Sequence, residues 1–170
     1  MDITLRLDVN EKDAEKMILW LSNQNITKYL NEDINSIEAI EKVIEKNQTE
    51  LFTYYLNQDG RFFLIDLDEE CIGFVNLFTI RSGKEYEVVI AIGDQENWGK
   101  HYAKKALESI MRKVFITWRI DRLKAKICLE NNRSIGLFDH LNFRKIKISE
   151  KFISYEITMD GYIELLKSRR

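Results

Sequence analysis

The chain has no proline, only two cysteines and two histidines, and no excess of either charge. Without proline one marker of segment boundaries is missing, and no linker, repeat or low-complexity segment divides the 170 residues. A single domain over 1–170 is therefore the expectation, long enough to bury a substantial core without staples. Cys71 and Cys128 stand alone inside apolar, strand-like runs, as buried thiols of a reducing compartment do, and neither has the setting of a ligand or nucleophile. The two histidines, His101 and His140, lie far apart, and no Cys-His or His-Glu spacing accompanies them, which argues against a transition-metal site. A net charge of -2 with intermixed signs excludes the basic field of a nucleic-acid binder. No apolar run approaches the roughly 20 residues that span a bilayer, and MDITLRLD lacks a basic-then-apolar signal, so a cytoplasmic protein without membrane contact is expected.

What is present is a strand, a loop and a helix between Glu87 and Ala106. Val88, Ile90 and Ile92 alternate as a half-buried strand requires, and Gly93-Asp94 breaks the alternation. From Gly99 the residues Ala103, Leu107, Ile110, Val114 and Trp118 recur at spacings of three and four, which predicts a helix starting at or just after Gly99. The first turn of a helix leaves N–H groups without intrahelical acceptors and carries the positive end of the macrodipole, so phosphate is stabilised there. Lys100 and His101 add positive character. A strand and helix joined near a glycine are also common as structure alone.

Around this unit the pattern gives a strand at Ile3, Leu5 and Leu7, then a helix capped by Asn10 with Ala14, Met17, Ile18 and Leu21 on its apolar face. Ile26, Tyr29 and Leu30 suggest a further helical turn or two. Asn35 and Glu38 have capping-box spacing before a second long helix carrying Ile37, Ile40, Ile44 and Leu51, while Leu51 to Leu56 reads equally as helix or strand. A meander of strands follows at 61–67, 71–80 and 85–92. Arg122 to Leu129 is a strand beside the one ending at Ile92, because a strand-helix-strand unit returns in parallel. Asn131 or Asn132 caps a short helix, Phe143 to Met159 gives two strands, and Gly161 to Lys167 a terminal helical turn or two. The sum is an α/β fold with a mixed, mostly antiparallel central sheet, a splayed parallel strand pair and helices on both faces.

Three stretches carry a family likeness. The loop Glu96-Asn97-Trp98-Gly99-Lys100-His101 continues through Tyr102 and Ala103. Asn131-Asn132-Arg133-Ser134-Ile135 precedes Leu137-Phe138 and Leu141-Asn142-Phe143, and Trp20-Leu21-Ser22-Asn23 precedes Ile26 and Tyr29-Leu30. Over roughly Ile3 to Thr158 the chain resembles the GNAT superfamily of acyl-CoA-dependent N-acetyltransferases, and within it the branch of ribosomal-protein and spermidine N-acetyltransferases. Glu96 and His101 stand where that family favours Arg or Gln and Gly or Ala. Phe138 stands where many relatives carry a tyrosine that protonates the departing thiolate.

The resemblance implies acetyl-CoA as co-substrate, with no metal. It lies in a wedge between the strands ending at Ile92 and Leu129, its pantetheine along the backbone of Ile90, Ala91 and Ile92. Its diphosphate lies on the amides of Trp98, Gly99, Lys100, His101, Tyr102 and Ala103. Asn131, Ser134 and Phe138 are further cofactor contacts. Glu87 is the candidate general base, against a plain surface charge, and Tyr29 and Asn23 are candidate acceptor contacts, against ordinary helix packing. The implied reaction is direct attack of a primary amine on the thioester, the amine being a polyamine, an aminosugar, an aminoglycoside or a protein N-terminus, with a homodimer left open. A CoA-binding regulatory domain without catalysis, or a phosphate-binding module using the same loop, are the other readings.

Overall fold

A computed structural model describes residues 2–30, 45, 51–80 and 83–169. The proposed capping box at Asn35 and Glu38, and the helix face at Ile37, Ile40 and Ile44, lie outside the described residues. Among the described residues, seven strands form one sheet in the order β1-β2-β3-β4-β5-β7-β6. They are β1 (Ile3–Arg6), β2 (Gly60–Leu67), β3 (Glu70–Ile80), β4 (Glu85–Ile92), β5 (Arg122–Cys128), β6 (Arg144–Ile148) and β7 (Phe152–Thr158). The helices are α1 (Glu11–Leu21), α2 (Gln24–Thr27), α3 (Phe52–Leu56), α4 (Tyr102–Arg112), α5 (Asn132–His140) and α6 (Met159–Ser168). The fold is mixed α/β, with β1–β2, β5–β7 and β6–β7 antiparallel and β4–β5 parallel over Glu85↔Arg122 to Glu87↔Lys124.

The chain forms two compact units, Met1–Leu77 with Val89–Ala106, and Phe78–Val88 with Leu107–Arg170. In the first, Asn10 caps α1 reciprocally: its side chain accepts from Asp13 N at 3.0 Å while Asp13 Oδ2 accepts from Asn10 N at 3.0 Å. That cap orients the face carrying Ala14, Met17, Trp20 and Leu21, which buries against Phe62, Leu64, Cys71, Phe74 and Ala91. Cys71 is a core thiol whose pKa burial pushes up to about 12, so it stays neutral and unreactive near pH 7. The undecided run 51–56 is helical from Phe52, the one residue of α3 that is buried.

The second unit packs Leu107, Ile110 and Met111 of α4, with Val114 and Phe115, among its buried residues. The alternating Leu123, Ala125 and Ile127 of β5 and Ile153, Tyr155 and Ile157 of β7 are buried there too. The helix expected to run evenly to Trp118 changes pitch. Lys113–Thr117 is a π-helical turn in which Trp118 N donates to Lys113 O at 2.9 Å. Phe115 stacks on Tyr162 of α6 with ring centroids 5.2 Å apart.

Strand β4 departs from the simple alternation. Tyr86 and Val88 are buried as the pattern requires, but Ala91 is then buried beside Ile92, and Ile90 is only half-buried. The reason lies at Gly73 of β3, where a Cβ would sit 2.2 Å from Ala91 O. A backbone carbonyl occupies the place of a side chain, and the strand loses its phase there.

Candidate functional site

The loop after Ile92 is built from short-range constraints. Gly93 N donates to Ile72 O at 2.9 Å, and Gln95–Asn97 makes a single 3₁₀ turn closed by Asn97 N to Asp94 O at 2.9 Å. Trp98 Nε1 donates back to Ile92 O at 2.7 Å, tying the loop to the end of β4. Gly99 then takes φ 75° and His101 φ 63°. Both are left-handed, which is why helix α4 begins at Tyr102, later than the apolar spacing alone suggests. His101 O accepts from Lys105 N at 3.1 Å, so the histidine is the residue from which the helix winds. Left-handed residues beside a helix N-terminus turn successive amides inward, a concavity suited to an anion. A Cβ at Gly99 would meet nothing within 4 Å, so space lies open over the loop. Glu96, Lys100 and His101 are exposed, and Glu96 sits on the 3₁₀ turn ahead of the left-handed residues.

Ile90, Ala91, Ile92 and Trp98 to Ala103 belong to the first unit, as do Asn23 and Tyr29. Asn23 is the N-cap of α2, its side chain accepting from Asn25 N at 3.0 Å. Tyr29 is half-buried, with Lys28 Nζ 4.9 Å from its ring centroid. The two residues expected to contact an acceptor therefore stand on one short helical connection, with the Asn23 side chain already engaged as a cap.

Glu87, Asn131, Ser134 and Phe138 belong to the second unit. Asn131 caps α5, its side chain accepting from Ser134 N at 3.1 Å, so two of the expected cofactor residues meet at one helix start. Phe138 is 1% exposed, edge-on to Phe143 at 4.8 Å and tilted against Tyr155 at 5.8 Å. Its ring thus lies in the core. The neighbouring phenol of Tyr155 donates to Asp139 Oδ1 at 2.9 Å, and burial together with that bond raises its pKa above the ordinary tyrosine range. Glu87 is half-buried and in register with Lys124 of β5. Two residues earlier on the same face, Glu85 takes Lys124 Nζ at 2.8 Å and Arg122 Nε at 3.7 Å.

The break at Gly93-Asp94 gives no sign of a further partner, Lys16. Lys16 Nζ reaches Asp94 Oδ2 at 3.0 Å, and Trp20 Nε1 donates to Asp94 Oδ1 at 2.9 Å. The only local trace of this is the spacing of four between Lys16 and Trp20 on α1. Among the described residues, no group of three or more His, Cys, Asp or Glu is placed to hold a metal ion, and no helix is long and apolar enough to cross a membrane.

Comparison with known proteins gives the same neighbourhood. A sequence model described as "Acetyltransferase (GNAT) domain" matches residues 2–144. The chain is 27% identical over 150 residues to the uncharacterized N-acetyltransferase p20 of Bacillus licheniformis, covering 84% of this chain and 79% of that one. Its backbone is similar to spermidine N-acetyltransferase from Vibrio cholerae in complex with CoA and spermine, with a TM-score of 0.75, 20% identity, and 95% and 98% of the two chains covered. It is also similar to Mycobacterium smegmatis RimJ in complex with CoA-disulfide, with a TM-score of 0.74, 18% identity, and 99% and 90% covered.

Proposed function

The chain belongs to the GNAT acetyltransferase family, and from that premise we propose that it moves an acetyl group from acetyl-CoA to a primary amine by direct attack. The observation that carries the proposal is the left-handed pair Gly99 and His101 opening α4, with free space above Gly99. The residues fit the group. The exposed Lys100 adds a cation where an anion would be held, and the exposed Glu96 has room to turn away from it. The co-substrate supplies an activated thioester carbonyl. Backbone of Ile90 to Ile92 and of Trp98 to Ala103 holds and orients it, and Asn131 and Ser134 are assigned to it as well. Phe138, at 1% exposure and packed against Phe143 and Tyr155, lies in the core and donates no proton.

Orientation supplies much of the rate, because an amine held about 3–3.5 Å from an acyl carbon needs no covalent enzyme intermediate. The new N–C bond forms as the C–S bond breaks, the sulfur leaves as thiolate, and the amine surrenders its proton. An alkyl amine has a pKa near ~10 and is mostly protonated at neutral pH, so a base is needed. Glu87 is the proposed base, acting through water, and Tyr29 and Asn23 line the acceptor. The acceptor is a polyamine, an aminosugar, an aminoglycoside or a protein N-terminus. The spermine held by the Vibrio cholerae enzyme makes polyamines the first class to try.

Acetyl-CoA at about 100 times its dissociation constant is expected to stabilise the protein by about 2.7 kcal/mol, read as a rise in melting temperature. Gly99→Asp should abolish the rise by setting a carboxylate against the diphosphate; a rise that survives in this variant places the cofactor elsewhere. Free thiol released with a panel of amines then tests catalysis. The second reading, a CoA-binding regulatory domain, is favoured by Phe138, which puts no phenol where relatives carry one. Binding without turnover on any amine would select it.

Once an acceptor is found, Glu87→Gln should lower the rate at neutral pH by at least roughly tenfold, within the range typical of general-base assistance. The loss should shrink as rising pH deprotonates the amine itself. A rate that matches wild type from pH 7 to pH 10 would make Glu87 a surface charge.

A further inference from the structure

The cofactor loop has an anchor that its own sequence does not reveal. We propose that Asp94 is a positioning residue, clamped between Lys16 and Trp20 of α1, which fixes the loop so that Gly99 to Ala103 meet the cofactor diphosphate already ordered. The inference rests on the acetyl-CoA reading above.

The clamp uses both oxygens of one carboxylate. Oδ1 accepts the Trp20 indole N–H at 2.9 Å and Oδ2 pairs with Lys16 Nζ at 3.0 Å. The spacing of four puts Lys16 and Trp20 on one face of α1, and the ammonium lies 5.6 Å from the Trp20 ring centroid. Lys16 is itself held by Cys71 O at 2.6 Å and Glu70 Oε1 at 3.2 Å, so α1, β3 and the loop converge on a single ammonium. Burial pulls its pKa down, but the bonds to Asp94 and Glu70 outweigh that and leave it raised, so the lysine stays charged through the working pH range.

The residue before Asp94 completes the device. A Cβ on Gly93 would fall 2.0 Å from Trp20 Cδ2, so only glycine lets the indole lie against the backbone there. From Asp94 the restraint passes along the chain, because Asp94 O accepts from Asn97 N at 2.9 Å and Gln95 O from Trp98 N at 3.1 Å. The left-handed residues follow at once. A loop ordered before its ligand arrives spares the ordering entropy that binding would otherwise cost.

Three variants and two readouts test this. Asp94→Asn keeps the shape of the carboxylate but removes its charge, Lys16→Met removes the partner, and the double variant joins them. The expected result is a rise of about tenfold in the acetyl-CoA dissociation constant for each single variant, ~1.4 kcal/mol, with little further rise in the double, because both break one interaction. With an acceptor in hand, KM for acetyl-CoA should rise while kcat and KM for the amine hold, a split that general destabilisation does not produce. Lys16→Arg should restore most of the affinity. The second readout needs no ligand: hydrogen exchange at Gly99 to Ala103 should quicken in Asp94→Asn, while the core strand 62–66 is unchanged. Wild-type binding with unaltered affinity and exchange in the variants overturns the clamp and leaves the acetyl-CoA reading standing. No binding by wild type overturns that reading and the proposal together.

Discussion

Arg6→Met should lower the stability of the protein by about 3–5 kcal/mol, the usual penalty for leaving a buried charge without its partner. Arg6 ends β1 and reaches two carboxylates that are almost fully buried, Asp13 at 6% and Asp66 at 4% exposure. Nε and Nη2 donate to Asp66 at 2.7 and 3.1 Å, and Nη1 and Nη2 donate to Asp13 at 2.8 and 3.1 Å. Nη1 also meets Asp8 O at 2.6 Å. The planar guanidinium thus satisfies both carboxylates in bidentate fashion, and its hydrogen bonds to Asp13 and Asp66 raise its pKa above the ordinary arginine value. Lysine offers a point charge without the fork, so Arg6→Lys should lose a substantial part of the same energy.

Asp13 adds to the effect because it also completes the reciprocal cap of α1, the helix that carries Lys16 and Trp20. Urea unfolding at pH 7 measures the loss as a shifted midpoint at an unchanged slope. Combining Arg6→Met with Asp13→Asn and Asp66→Asn should recover part of it, since the amides leave no buried charge. A single variant within about 1 kcal/mol of wild type would mean that water reaches these carboxylates, and that the network is a surface ion pair in energetic terms.

Such networks mark where sequence reading stops. Element types were legible because each depends on neighbours in the chain. Asn10 capping α1, the alternation of β5, the two strands between Phe143 and Met159, and the end of β4 before Gly93-Asp94 are local patterns that the structure realises. The parallel return of β5 beside β4 followed from the strand-helix-strand order. The phase break in β4 was not legible, because it depends on Gly73 and on a carbonyl 2.2 Å from its would-be Cβ, on another strand. Nor was the delayed start of α4, since a histidine gives no sequence sign of a left-handed backbone.

For the site, the loop was legible from glycine, spacing and resemblance, whereas its supports were not. Asp94 and Trp20 are 74 residues apart, and Arg6 and Asp66 are 60 apart. Pairings of that range leave no periodic trace. Asn23 shows the reverse case: one polar residue at a helix start fits both a cap and a ligand contact, and the structure already uses its side chain as a cap.

Gly73→Ala should damage stability and cofactor affinity together, through a single methyl group. Its Cβ would lie 2.2 Å from Ala91 O, 3.0 Å from Ile92 Cα and 3.2 Å from Ala91 C, all of them backbone atoms that no rotamer change can move. Either β3 or the end of β4 must shift. The flanking Ile72, Phe74 and Val75 are at most 2% exposed, so β3 is held by packing on both faces and the strain falls on Ala91 and Ile92. Overpacking of this kind costs about 1–3 kcal/mol. The displaced strip is the same backbone assigned to the pantetheine, so the acetyl-CoA dissociation constant should rise by at least about tenfold, ~1.4 kcal/mol. Gly136→Ala supplies the control: that glycine lies inside α5 with nothing within 4 Å of its would-be Cβ, so alanine there should stabilise the helix by about 0.5–1 kcal/mol and leave cofactor binding alone. The measurement is a melting temperature and an acetyl-CoA titration on both variants. A Gly73→Ala protein that binds acetyl-CoA as wild type does, despite a lowered melting temperature, would remove Ala91 and Ile92 from the cofactor site. One that also melts as wild type does would show that the strands yield freely at this contact.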